Sequence, residues 1–245
     1  MFDRILVPQG AEAAAVRRGL QRAEASTAIL PIAMGPEATV ERLTTALSPG
    51  DWSEVQRVLV LGVAGSLSPQ LGVGEVVVYG ELLTSIPRSV PLAISTTAVA
   101  QLCEPGLWER LVQSRQTRLP RVRVSRVRAL SCDRLIHKAS EKAQLYDQTG
   151  AAVVDMEAAA IAQCLTPYGI QITTVRVISD DAGADLPDLA GVVRADGGLD
   201  SGKLAIALAR QPQAAFRLIR GSLGALKVLQ QVTQDLLRPQ PRTAP

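Results

Sequence analysis

The sequence is poor in the side chains that build many kinds of site. Its 245 residues hold one histidine, His137, so a histidine-rich metal centre or a Ser-His-Asp relay would rest on that residue alone. Three cysteines, Cys103, Cys132 and Cys164, stand far apart and never in CxxC spacing. An odd number at such spacing fits a reducing compartment better than a disulfide framework. Aromatic residues make up 3% of the chain, too few for the stacking platforms of single-strand nucleic-acid binders. No apolar run approaches the ~18–20 residues of a membrane span. The start, MFDRILVPQG, has neither the basic region nor the long apolar run of a signal peptide. A cytoplasmic protein without an integral membrane segment is therefore expected. The net charge of +3 is a weak pull toward polyanions, while the 47% hydrophobic fraction supports a substantial core.

What is present is an alternation of short β-branched runs and longer helical patterns. Strands are expected at Arg4–Pro8, Thr27–Ala33, Arg57–Gly62, Gly74–Tyr79, Arg121–Leu130, Ala152–Asp155 and Thr173–Ser179. Helices are expected at Glu12–Ala25, Glu37–Leu47, Gly106–Thr117, Ser140–Thr149, Glu157–Tyr168, Lys203–Arg210 and Pro212–Leu237. Ser140 and Gly150 read as the N-cap and the C-terminal glycine of the helix between them. Buried strands interleaved with helices predict a single α/β domain over residues 1–237: a central, mostly parallel, mixed and twisted sheet with helices on both faces. RPQPRTAP, residues 238–245, reads as a frayed tail, and Asp180 to Asp200 as a long functional loop.

Three segments place polar groups at the carboxyl ends of strands, where α/β sheets build their sites. VLVLGVAGSL ends in Gly62-Val63-Ala64-Gly65-Ser66, whose small residues let a ligand approach the backbone. Alone it reads as a tight turn, and it is neither a Walker loop nor a GxGxxG fingerprint. AAVVDMEAAAIAQ delivers Asp155, Met156 and Glu157 to the start of an alanine-rich helix. There a carboxylate is stabilised as an anion, either as a plain cap or as a fixed acceptor for sugar hydroxyls. In TTVRVISDD, Arg176, Ile178 and Asp180 share a strand face by period two, and a desolvated Asp180 would have a raised pKa and could donate a proton. The plain alternative is a solvated acid opening a loop.

Together, GVAGSL, DMEAAAIA and VRVISD resemble the nucleoside phosphorylase/nucleosidase superfamily in order and spacing. ILVPQGAE, Met34-Gly35-Pro36, LGVGEVVVY and SCDRLI extend the resemblance over most of Arg4 to Asp181. It implies cleavage of the N-glycosidic bond of a purine nucleoside, with adenine as the base. Asp180 would give a proton to the purine, Glu157 would hold the ribose hydroxyls with Met156 beside the sugar, and Glu12 would activate water. Arg176 would orient the carboxylates, with Ala64, Gly65 and Ser179 lining the substrate site. Leu135 stands where many members stack an aromatic on the base. Val60 and Val63 occupy positions where phosphorolytic members bind phosphate with Arg and Ser, so hydrolysis is expected. Phosphorolysis is the alternative, as is a nucleoside-binding module without catalysis. The second half also resembles the hopanoid-associated branch, which implies an apolar 5′ group on the substrate. A homo-oligomer is implied; no cofactor, metal or nucleic-acid partner is expected.

The remaining constellations read as structural. Arg121, Arg123, Arg126 and Arg128 change phase at Ser125 and split between two faces, suiting an edge strand rather than a nucleic-acid strip. Asp181, Asp185, Asp188, Asp196 and Asp200 lack EF-hand spacing and read as a solvated loop. His137 reads as a structural histidine near the pocket.

Overall fold

The short β-branched runs become strands and the longer amphipathic runs helices in the computed structural model, which describes residues 2–47, 52–84, 95–97, 111, 123–189, 191–192, 194, 198 and 200–238. In chain order the elements are β1 (Arg4–Pro8), α1 (Ala11–Ala23), β2 (Ala28–Ile32), α2 (Pro36–Ala46), β3 (Arg57–Ser66), β4 (Val76–Thr84) and β5 (Ser95–Thr97). They continue as β6 (Val124–Ser131), α3 (Ala139–Thr149), β7 (Val153–Asp155), α4 (Ala158–Leu165), β8 (Gln171–Asp180), α5 (Ser201–Arg210) and α6 (Pro212–Leu237). The three-residue β5 was not expected. The helix expected at Gly106–Thr117 lies outside the described residues except for the buried Leu111. Of the expected tail, only Arg238 is described.

The sheet is mixed. β1 pairs in parallel with β2 and β3, β3 with β8, β4 with β6, and β6 with β7. Antiparallel pairs join β3 to β7, β4 to β5, and β4 to β8. Because β8 pairs with both β3 and β4, the strands β3, β7, β6, β4 and β8 close into a ring, with β1 and β2 continuing outward from β3. The arginine-rich strand is therefore no edge. β6 lies between β4 and β7, and Arg128 is held by Glu81 and the Thr149 carbonyl.

Helices cover both faces. Leu43 of α2 and Ala158, Ile161 and Leu165 of α4 join Leu6, Val58, Val60 and Ile178 in one core. Val16 and Leu20 of α1 and Leu229, Val232 and Leu236 of α6 join Ile5, Leu59, Leu61 and Val175 in the other. Successive strand residues thus alternate between two apolar layers, which is why the strands read as continuous apolar runs. No helix among the described residues is long and apolar enough to cross a membrane.

Two helix ends qualify the local reading. Gly150 ends α3 with φ 64°, and its N–H bonds the Tyr146 carbonyl, as the glycine signal implied. Ser140, by contrast, does not cap that helix. α3 begins one residue earlier, and the Ala139 N–H donates to Asp185 Oδ1 at 2.9 Å. A cap from a loop 46 residues away takes the place of the local hydroxyl.

Candidate active site

Two adjoining constellations form where β3, β7 and β8 end. The first is built on Arg176 of β8, which is fully buried. Its Nη2 donates to Asp155 Oδ2 at 2.9 Å and lies 3.5 Å from Glu157 Oε2. Asp155 also accepts from Tyr79 Oη at 3.1 Å, from Ser131 Oγ at 2.8 Å and from the Ala158 N–H at 3.3 Å. Asp155 is thus the capping carboxylate of α4 and the counter-ion of Arg176 at once. Glu157, at the N-cap backbone position, makes no cap bond with its side chain. Its Oε1 instead accepts from the Gly35 N–H at 3.2 Å. Gly35 has φ 88°, a conformation open to glycine, and Pro36 follows at the start of α2. That turn brings Met34-Gly35-Pro36 over Glu157 and sets Met156 beside Gly35.

Glu12, in the first turn of α1, completes the cluster. Its Oε2 accepts from the Val63 N–H at 2.7 Å. The carboxyl and the guanidinium meet over Gly62: a methyl group there would stand 2.6 Å from Glu12 Oε2 and 2.1 Å from Arg176 Nη1. Only a residue without Cβ leaves this space. Burial pushes the Glu12 carboxyl up to about 8, against the lowering effect of Arg176; Glu157 and Asp155 reinforce the rise. Burial likewise raises Glu157, with Arg176 opposing and Asp155 adding. The charge count explains this: three carboxyl groups share one guanidinium, so at least one carboxyl is costly to ionise. Burial favours a neutral Arg176, but Asp155, Tyr79, Glu157 and Glu12 outweigh it and hold the cation. Its Nε and Nη1 are buried without a hydrogen-bond partner, and Nη1 lies at Gly62 beside the Glu12 carboxyl.

The second constellation surrounds Asp180, the last residue of β8. Ser179 Oγ donates to its Oδ1 at 2.7 Å, and the Lys142 ammonium pairs with its Oδ2. Lys142 is fully buried on α3 and also donates to the Asp181 carbonyl at 2.8 Å. Where the sequence suggested a lone desolvated acid, the structure has an ion pair. A bulge sets its geometry: Ala64 pairs with Ile178 but Gly65 with Asp180, leaving Ser179 as the extra residue. The period-two reading of Arg176, Ile178 and Asp180 on one face therefore breaks at Ser179, as bulges near functional sites commonly re-aim a side chain. A Cβ on Gly65 would lie 3.0 Å from Asp180 Oδ2, and the Ala64 carbonyl accepts from Ser179 Oγ at 3.3 Å.

The structure thus brings Glu12, Met156, Glu157, Arg176, Ala64, Gly65, Ser179 and Asp180 together. Leu135 is half-buried on the segment linking Ser131 of the first constellation to α3 of the second. That segment is stitched to the following loop by Lys138–Asp185 and by Leu186 N–H to the His137 carbonyl. Val60 is core, and the Val63 amide is already taken by Glu12. No group of three metal-ligating side chains occurs among the described residues. The sequence reading overlooked Lys142, Tyr79 and Ser131. Lys142 had a signal, since it shares a helix face with Ala139, Leu145, Tyr146 and Thr149.

The sequence model of the phosphorylase superfamily matches residues 9–210. The 5′-methylthioadenosine/S-adenosylhomocysteine nucleosidases of Mycobacterium bovis and Mycobacterium tuberculosis are each 25% identical to this chain over 168 residues, covering 58% of it. The match spans 65% of those relatives' length, just under two thirds. Among solved structures, the Helicobacter pylori nucleosidase of the same name superposes with a TM-score of 0.65 at 16% identity, covering 95% of this chain and 96% of its own. Helicobacter pylori futalosine hydrolase superposes with a TM-score of 0.64 at 17% identity, with 95% of each chain covered. At these identities the superpositions establish a shared fold.

Proposed function

The chain belongs to the phosphorylase superfamily, and from that premise we propose that it hydrolyses the N-glycosidic bond of an adenine nucleoside, releasing the base. The observation that carries this reading is the Glu12 carboxyl, tethered by the Val63 amide beside Arg176 with its pKa near 8. A carboxylate of that basicity takes a proton from water, and the Val60 and Val63 side chains offer a phosphate no donors. Arg176 Nη1, beside the Glu12 carboxyl, supplies an unspent donor to hold the water. Two further groups complete the chemistry. Glu157, with Met156 beside it, holds the ribose hydroxyls as charge develops on the sugar. Asp180 relays a proton to the departing purine, drawing it from the Lys142 ammonium paired with its Oδ2, while Ser179 fixes its other carboxyl oxygen.

Water adds to the anomeric carbon as the C–N bond breaks, so the products are the protonated base and the free sugar. The relatives named for methylthioadenosine and S-adenosylhomocysteine support a substrate with a 5′-thioether, and Leu135, an aliphatic wall in place of a ring, favours an apolar 5′ group. The single-domain, cytoplasmic and homo-oligomeric expectations belong to the same reading. The test is adenine release from adenosine, methylthioadenosine and a long-alkyl 5′-thioadenosine, with and without phosphate. Free ribose products at a rate independent of phosphate are expected. Ribose-1-phosphate formation that rises with phosphate would refute hydrolysis, and adenine binding without turnover would leave a binding module.

A further inference from the structure

Of the seven large apolar side chains exposed among the described residues, four lie on α5 and α6: Phe216 at 64%, Leu223 at 56%, Ile206 at 54% and Ile219 at 48%. Phe216, Ile219 and Leu223 recur at i, i+3 and i+7, and Arg220 and Lys227 fall on the same face at i+4 and i+11. The opposite face of α6 buries Ala214, Gly221, Ala225, Leu229 and Val232. On α5, which buries no residue, Lys203 and Arg210 flank Ile206 at helical spacing. From Ser201 to Gln234 the chain has five basic residues and no acid; Asp200 and Asp235 stand just outside. Lys203 and Arg217 donate to the backbone carbonyls of Gly191 and Asp185, and Asp200 at the start of α5 is the acid beside Lys203.

Apolar anchors ringed by cations on one outward helical face are the pattern of an interfacial helix. We propose that the α5–α6 face docks reversibly on an anionic lipid surface, with Phe216, Ile219, Leu223 and Ile206 entering the headgroup layer and the basic residues meeting lipid phosphates. Charge decides against a second copy as the occupant. A two-fold contact would set five cations against the same five, and like charges across an interface are costly. A nucleic acid would match the charge but leave the apolar side chains in water. The docked face lies on the outside of the helix whose Gly221 touches the Ser179 carbonyl, so the site sits one helix width from the lipid.

The experiment is co-sedimentation of the full chain with phosphatidylcholine vesicles and with phosphatidylcholine–phosphatidylglycerol vesicles. Binding to the second alone, weakening as salt rises, is expected. The variant K203Q/R220Q/K227Q should lower partitioning on the order of 100-fold, from the attraction of each basic residue to anionic lipid. F216S/I219S should lower it by roughly 10-fold or more at unchanged charge. Both variants alter exposed residues, so Tm and turnover of a water-soluble substrate should match the wild type. Hydrogen exchange on the wild-type protein supplies a second readout: vesicle-induced protection should fall on residues 203–227. Binding to neither vesicle, equal binding to both, or protection elsewhere overturns the proposal. So does a concentration-dependent dimer that F216S/I219S abolishes, which would assign the face to a second copy.

Discussion

Gly62→Ala is expected to cost both stability and turnover, although it adds one methyl group to a residue that contacts no substrate through a side chain. The new carbon would stand 2.1 Å from Arg176 Nη1 and 2.6 Å from Glu12 Oε2. Ordinary contact needs roughly 3.5 Å, so the guanidinium must retreat by more than ~1 Å. Arg176 has nowhere soft to go. Its other nitrogen is held at 2.9 Å by Asp155, and Gly62 pairs directly with Arg176 across β3 and β8. Overpacking costs about 1–3 kcal/mol, and losing a charge-assisted hydrogen bond contributes a similar amount. A loss of about 2–5 kcal/mol in a chain of this size lowers Tm by roughly 5–15 °C. An ångström of displacement at reacting groups costs on the order of 100-fold in kcat/KM. The assay is a thermal melt with adenine-release kinetics, using Gly72→Ala as the control, since nothing lies within 4 Å of a Cβ at Gly72. A Gly62→Ala protein with wild-type Tm and wild-type turnover would refute the proposed crowding of Arg176 and Glu12.

Asp180→Asn and Glu157→Gln should each keep the fold and lower turnover by at least ~100-fold; wild-type kinetics in either would remove that residue from the mechanism. Activity should climb with pH through about 8, following the ionisation of Glu12, and Glu12→Gln should abolish that limb. Since the folded-state pKa of Glu12 is raised, its ionisation opposes folding, so between about pH 4.5 and 8 wild-type stability should fall relative to Glu12→Gln. Equal slopes in the two proteins would contradict this. Lys142→Met should destabilise by about 3–5 kcal/mol because it leaves Asp180 buried without its cation, and adding Asp180→Asn should recover most of that loss. Additive losses in the double mutant would show that the pair is not coupled.

The sequence made most elements legible because strand and helix periods differ, and the α6 boundaries at Pro212 and Leu237 read as expected. It also made the junction of Asp155, Met156 and Glu157 legible, because a buried strand running into an alanine-rich helix has few other readings. Long-range facts were not legible. That Asp155 and not Glu157 caps the helix depends on Tyr79, Ser131 and Arg176, which lie on three other strands. That β6 is interior depends on ring closure through β8, which no local period encodes. Lys142 was missed because a lysine beside Glu141 reads as solvated unless its helix face is compared with its neighbours.

The closed ring has a consequence for how this protein can change. Each strand in it takes its register from two neighbours, so a one-residue slip in β8 would have to be matched against both β3 and β4. Such a slip would carry Arg176 out of its counter-ions and put Val175 or Val177 in its place. Insertions and deletions are therefore confined to the connections between elements. The substrate range of the fold should vary through segments such as Cys132–Lys138 and Asp181–Leu189, while the spacing of Glu157, Arg176 and Asp180 stays locked to the strands that carry them.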